Sequence, residues 1–306
     1  MNQQIDISAF RHLYPFESHY LDLNGLKYHY LDEGKGEPIV MLHGNPTWSF
    51  YYRSLVNALS GEYRTIVPDH IGCGLSDKPD DKTYDYRLKS RVDDLEKLLD
   101  HLDINENITL IVHDWGGMIG MAYALRSPER IARLVIANTA GFFTPNDKGI
   151  PFRLWLIRHI APFAVPAVLG LNIFSFAALY MASSKKLPKD VKAGLTAPYN
   201  SWNNRIATLK FVQDIPIKES DPSYQLVDSV QANLHKLSDI PKLICWGEKD
   251  FVFTMEFFKE WKRRFPDAEF HTFPDAGHYI FEDVPDKILP LVKSFLKNHP
   301  ISCNDC

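Results

Sequence analysis

Cysteine is scarce in this sequence, with four in 306 residues. A disulfide-stapled scaffold needs many more per residue, so the chain must hold itself together by packing. Cys73 and Cys245 lie in apolar or glycine-rich segments and are expected to be buried thiols. Cys303 and Cys306 form a C-x-x-C, but beside Pro300, Asn304 and Asp305. A redox pair needs a helix N-terminus in a βαβ setting, so a frayed tail is expected instead. A cationic surplus is missing too: 34 Lys and Arg stand against 38 Asp and Glu, for a net charge of −4. With no basic stripe interleaved with aromatics, nucleic acid is not an expected partner. Met1 to Phe10 carries Asp6 and no apolar run, which is not the pattern of a secretory signal. A cytoplasmic location is the default expectation. No cluster of His, Cys and Glu has the spacing of zinc ligands, and there is no internal repeat or low-complexity tract.

Charge is absent altogether from Ile160 to Ala182. A run of that length is a candidate membrane span. Pro162, Pro166, Gly170, Asn172 and Ser175 interrupt it, which suits broken helices better than one span. Arg153 and Arg158 precede it, and Lys185 and Lys186 follow. The expectation is a buried or substrate-facing helical lid; the alternative is peripheral contact of that lid with a membrane surface.

What is present is ordinary for a globular chain: 45% hydrophobic and 24% charged residues. The length fits one large α/β domain with an inserted subdomain. Ser18–Leu23 and Leu26–Leu31 flank Asn24-Gly25, a hairpin turn signal. Pro38–Leu42, Arg64–Pro68, Ile108–Val112, Arg133–Ala137, Lys242–Trp246 and Glu269–Phe273 are expected strands. Tyr52–Leu59, Ser90–Leu102, Met118–Leu125, Met255–Phe265 and Asp286–Leu296 are expected helices. Strands alternating with helices imply a mostly parallel sheet, here of eight strands. The alternation stops from about Phe142 to about Leu226, where the chain is aromatic, proline-rich and helical in character. The expected organisation is therefore a core of 1–141 and 227–306 with a helical cap of 142–226.

Chemistry concentrates at the strand ends. Val112-His113-Asp114-Trp115-Gly116-Gly117 joins an apolar strand to a helix. That is the form of a nucleophile elbow, small-x-nucleophile-x-small, with Val112 slightly large for its place. Asp114 stands where the nucleophile belongs; a carboxylate there can attack carbon and form an ester on the enzyme. By itself the Asp could equally be a helix N-cap. Gly247-Glu248-Lys249-Asp250 and Gly277-His278-Tyr279 follow two later strands. The order nucleophile, acid, histidine is the one this fold uses. His278 would be the base, and Asp250 would orient it, with Glu248 as the fallback acid. His43-Gly44-Asn45-Pro46-Thr47-Trp48 follows the third strand, where the oxyanion-hole loop belongs. The Asn45 and Trp115 backbone N–H groups, with the Asn45 amide and Trp115 indole, could hold developing or departing negative charge. Trp48 and Phe142 are expected to line the pocket.

His43–Trp48 together with His113–Gly117 resembles the haloalkane dehalogenase family of the α/β-hydrolase fold. In that family the matching Asp is the nucleophile, and the matching Asn and Trp bind the departing halide. Pro68–Pro79, Ala197–Arg205 and Phe211–Pro216 are similar to its β-lactone decarboxylase branch. The strand before Asn138-Thr139 lacks the acid that one dehalogenase subfamily carries there, which favours Asp250. The resemblance implies attack by Asp114 on the β-carbon of a cis-β-lactone, then loss of carbon dioxide to leave a long-chain cis-alkene. It implies a small hydrophobic substrate, no metal or organic cofactor, and a β-lactone synthetase as partner enzyme. Hydrolysis of carbon–halogen bonds is the alternative, followed by epoxide hydrolysis with cap tyrosines Tyr180, Tyr199 or Tyr224 as ring-opening acids. A non-catalytic receptor is the reading from a different class, and the complete triad speaks against it.

Overall fold

The computed structural model describes residues 5–145 and 149–301. Cys303 and Cys306 lie outside the described residues. Eight strands form one sheet: β1 (His19–Leu23), β2 (Leu26–Glu33), β3 (Pro38–Leu42), β4 (Arg64–Pro68), β5 (Ile108–Asp114), β6 (Ile131–Thr139), β7 (Lys242–Gly247) and β8 (Glu269–Phe273). Their spatial order is β1-β2-β4-β3-β5-β6-β7-β8. β2 runs antiparallel to both of its neighbours, and the other pairings are parallel. The β1–β2 turn places Asn24 (φ 57°) and Gly25 (φ 88°) in the left-handed region that a two-residue hairpin loop requires.

Side chains alternate across the central strands, as the period of two demands. Ile39, Met41, Ile111, Val135, Leu243 and Cys245 enter one apolar cluster. Val40, Leu42, Leu110, Val112, Ile136, Ile244 and Trp246 enter the other. The sheet is thus buried on both faces, which is why its strands read as continuous apolar runs. The covering helices of the core are α1 (Arg53–Leu59), α2 (Leu88–His101) and α3 (Trp115–Arg126). Between β6 and β7 come α4 (Phe152–His159), α5 (Ala161–Ala164), α6 (Ile173–Met181), α7 (Lys189–Thr196), α8 (Ile206–Gln213) and α9 (Tyr224–Asn233). The chain closes with α10 (Met255–Arg264), α11 (Ile280–Asp283) and α12 (Pro285–Asn298).

Three features of this architecture have physical causes. β5 runs two residues further, so Asp114 ends the strand, and α3 starts at Trp115 rather than Met118. The glycines that mask this helix start are there for packing: a Cβ on Gly116 would collide with the Leu42 carbonyl, and one on Gly117 with the Thr139 side chain. The charge-free run is broken into α5, a π-helical turn over Val165–Gly170, and α6. It is a lid with two faces. Ala164, Val168 and Leu169 pack on Leu209 inside, while Phe163, Leu171, Ile173, Phe176 and Tyr180 are exposed. Finally, α9 packs against α3, and Val227 and Val230 join the main core cluster. The segment lying over the site is therefore built mainly by α4 to α8.

Candidate active site

Asp114 sits at the C-terminal end of the central strand with φ 52° and ψ −128°. A non-glycine residue rarely adopts that backbone, and where it does the surroundings must hold it there. Here they do. The Thr139 hydroxyl donates to the Asp114 carbonyl. Gly116 and Gly120 let α3 press against Leu42 and Val112, and Gly44 leaves no room for a Cβ beside the Asp114 side chain. The elbow lifts the carboxylate above the sheet into a cavity, where it is 8% exposed.

Two groups converge on that carboxylate, and a third stands behind one of them. The Asn45 N–H donates to Asp114 Oδ2 at 2.9 Å. His278 Nε2 lies 3.7 Å from the same oxygen. On its other side, His278 Nδ1 donates to Asp250 Oδ2 at 2.8 Å. Asp250 Oδ1 accepts the N–H groups of Val252 (2.7 Å) and Phe253 (3.0 Å). The three side chains named from the strand ends are thus one constellation. Burial opposes a charge on His278, but the carboxylates of Asp250 and Asp114 outweigh it and raise the imidazole to about 10. The free site therefore holds an imidazolium between two carboxylates at neutral pH. Glu248 is exposed and takes no part.

Several supports went unread in the sequence. Asn138 donates to Asp250 Oδ2 at 3.0 Å and to the Gly247 carbonyl, and accepts the Gly247 N–H. It ties the Asp250 carboxylate to the end of β7. His113 Nε2 donates to the His278 carbonyl at 2.7 Å, with the two ring centroids 4.6 Å apart. The Asn45 loop is pinned from behind: His43 Nδ1 donates to the Gly44 carbonyl and Nε2 accepts the His70 N–H. Asp69 accepts the N–H groups of Ser49 and Leu75. Burial works against its charge, yet the neighbouring His29 and these donors hold its carboxyl well below the usual range. No pattern signal marks such braces, because any polar residue after a strand is usually a turn former.

The cavity measures about 930 Å³ and is walled mostly by apolar side chains. Asn45, Trp115 and Phe142 line it. The Asn45 amide Nδ2 donates to the Thr208 carbonyl at 3.0 Å and has a second hydrogen to give, while its Oδ1 is buried without a partner. Trp48 does not line it. Its ring is fully buried against Tyr14 and Phe50, and its indole N–H donates to the Gly194 carbonyl of α7 at 2.9 Å. The loop bends at Asn45 and Pro46, so Asn45 faces the cavity while Trp48 turns away from it and anchors the cap from behind. Among the described residues no group of His, Cys, Asp and Glu is placed to hold a metal ion.

Residues 37–285 match the family described as the alpha/beta hydrolase fold. The chain belongs to the α/β-hydrolase fold family. Within it, this chain is 55% identical over 285 residues to the cis-3-alkyl-4-alkyloxetan-2-one decarboxylase of Shewanella oneidensis, covering 93% of this chain and 89% of that protein. A protein of the same name from Xanthomonas campestris is 44% identical over 296 residues, covering 94% and 98%. Haloalkane dehalogenase 2 of Mycobacterium bovis is 33% identical over 288 residues, covering 93% and 96%. Among solved structures, the haloalkane dehalogenase DatA of Agrobacterium tumefaciens superposes with a TM-score of 0.81 over 93% of this chain and 97% of that chain. At 24% identity this likeness speaks for the fold alone. The two decarboxylases are more similar to this chain than the mycobacterial dehalogenase is, as the motifs of Pro68–Pro79 and the cap had suggested.

Proposed function

We propose that this hydrolase-fold enzyme is a cis-β-lactone decarboxylase with Asp114 as nucleophile, His278 as its partner imidazole and Asp250 as the orienting acid. The observation that carries the reading is a carboxylate, ordered by the Asn45 N–H and His278, on the floor of an apolar cavity of about 930 Å³. The resemblance to the two decarboxylases supports the substrate class. An Asp114 oxygen attacks the ring β-carbon, and the bond from that carbon to the ring oxygen breaks. The electron pair leaves on the ring carboxylate, toward which the second Asn45 amide hydrogen and the Trp115 indole are available donors. The resulting β-acyloxy carboxylate then breaks its bond to carbon dioxide. That pair becomes the alkene, and the pair of the ester bond returns to Asp114. Attack inverts the β-carbon and the fragmentation is antiperiplanar, so the two alkyl groups of a cis-lactone end cis on the alkene. No water is consumed. The charged state of His278 suits this path: an imidazolium cannot deprotonate water, but it can receive the carboxylate of Asp114 as it leaves.

A β-lactone synthetase is the class of enzyme that would supply such a substrate, and we propose it as the functional partner. The second reading is halide displacement, which the Asn45 and Trp115 donors also favour. Epoxide hydrolysis loses its acids: Tyr180 is exposed, Tyr199 donates to the Thr47 carbonyl, and Tyr224 packs on Phe143, so none lines the cavity.

Turnover of a cis-β-lactone and of a bromoalkane in heavy-oxygen water, followed by weighing the peptide that contains Asp114, separates the readings. The lactone is expected to give cis-alkene and carbon dioxide with no label in Asp114. A β-hydroxy acid as main product, or label in Asp114 during lactone turnover, would make the protein a hydrolase. Fast bromide release with no alkene would make it a dehalogenase.

A further inference from the structure

α6 is apolar all round. Phe174, Ala177, Ala178 and Met181 line the cavity, while Phe176 and Tyr180 on its other side are exposed. A helix at the surface of a globular protein normally turns a polar face outward. The neighbouring elements repeat the pattern: Phe152 is 70% exposed, Phe163 49% and Leu171 71%. Phe152, Phe163 and Ile173 are both exposed and part of the cavity wall, so they form its rim. Trp155 is half-exposed and stacked on Phe152 at 6.1 Å. The cavity therefore opens through the middle of an uncovered apolar surface.

The segment that builds that surface carries charge of one sign. From 149 to 189 there is no Asp or Glu, against Arg153, Arg158, Lys185, Lys186 and Lys189, in a chain whose net charge is −4. Arg158 is neutralised by Asp221 at 2.6 Å. Arg153 stands exposed at the rim, 3.0 Å from the Met181 sulfur, and Lys185, Lys186 and Lys189 are exposed beyond the end of α6. α4 and the α5 segment meet at a bend of 99°, and no single helix among the described residues is long and apolar enough to cross a membrane.

We propose that the α4–α6 face docks on a bilayer surface carrying anionic headgroups, so that the cavity mouth opens onto the lipid. Exposed Trp and Phe beside cations, on helices too short to span, is the composition of an interfacial element. A protein partner would call for a polar rim of mixed sign, which this face does not have. The anionic headgroups meet Arg153, Lys185, Lys186 and Lys189, and the apolar side chains enter the headgroup–acyl boundary. The placement of the mouth rests on the lactone reading: a dialkyl lactone and its alkene dissolve in lipid and hardly in water, so a mouth seated on lipid takes in one and releases the other without crossing solvent.

Flotation of the full chain with vesicles tests this. Phosphatidylcholine vesicles containing about a quarter phosphatidylglycerol are compared with pure phosphatidylcholine, and insertion is read from quenching of tryptophan by spin-labelled acyl chains. Binding is expected to the anionic vesicles and to be weaker without phosphatidylglycerol. Lys185→Glu with Lys186→Glu should weaken it at least tenfold, since one cation near such a surface is worth about fivefold in partitioning. Trp155→Ser, Leu171→Ser and Phe176→Ser together, none of which lines the cavity, should remove both binding and most of the quenching. All variants should keep wild-type turnover of a short, water-soluble cis-β-lactone. Vesicle binding without lactone turnover would uphold the docking face and sink only the lactone reading. Absence of binding to anionic vesicles overturns the proposal. So does binding that none of these substitutions changes, or a dimer in sedimentation velocity that the triple substitution dissociates, since a second copy would then cover the face.

Discussion

His113 Nε2 donates a 2.7 Å hydrogen bond to the carbonyl oxygen of His278. The residue before the elbow carboxylate therefore holds the backbone of the imidazole that faces it. A carbonyl can only accept, so His113 carries its proton on Nε2 and leaves Nδ1 bare and without a partner. Burial and the neighbouring His278 push its own ionisation down to about 3, so it stays neutral. His113→Leu should lower kcat about tenfold with little change in KM, as expected when a lost buried hydrogen bond of about 1–3 kcal/mol loosens a reacting group. His113→Gln, which keeps a donor, should restore most of kcat. Equal activity in both variants would make the residue only a filler of space.

Asp114→Asn should cut kcat by about 10⁴ or more, because an amide cannot take the place of an attacking carboxylate. The variant should melt within a few degrees of the wild type, since its side chain lies in a cavity and not in the core. Retention of more than about a tenth of the activity would remove Asp114 from the mechanism.

His278 titrates near 10 because Asp250 and Asp114 outweigh its burial. Asp250→Asn removes one of those charges and should bring the imidazole well down, as followed by proton-detected NMR of the ring. If the titration stayed where it was, Asp250 would not be the charge that holds it.

Stability should follow the same groups. The His278 value is raised above the ordinary 6.5, so the stability it contributes is whole below about 6.5 and lost as pH rises through about 10. His113 is depressed, so its contribution is whole above about 6.5 and lost as pH falls toward 3. Denaturant melts of wild type and His278→Gln should therefore differ most below pH 6.5 and converge toward pH 10. A gap that widens with rising pH would contradict the charge assignment.

Ala177 lines the cavity from α6. Ala177→Phe should raise KM for long-chain substrates by about tenfold and leave short ones nearly untouched, because it fills part of the apolar channel. Equal loss for both lengths would place the alkyl chain elsewhere.

Much of this arrangement could be read before any coordinates. β3 (Pro38–Leu42) and β8 (Glu269–Phe273) have the bounds expected from their apolar runs. Asp114, Asp250 and His278 were legible because each follows a strand in the order the fold imposes. What was not legible depends on distance across the fold. Asn138 reaches over 112 residues to Asp250, and His113 over 165 to His278, and neither separation leaves a local pattern. Trp48 was misplaced because a large aromatic near a catalytic loop has two sides to choose from. The start of α3 was hidden because glycines that end helices elsewhere are needed here for close approach to Leu42 and Thr139.

The backbone at Asp114, with φ 52° and ψ −128°, is one that glycine would adopt without strain. A residue with a side chain is destabilised by about 1–3 kcal/mol when held there. Position 114 is therefore a place where mutation toward a more stable protein and mutation toward a dead one coincide. Drift under selection for folding alone would replace the carboxylate with glycine, and Asp114→Gly should melt above Asp114→Ala for that reason. An acid held at this turn is held at a cost in stability that glycine would not bear.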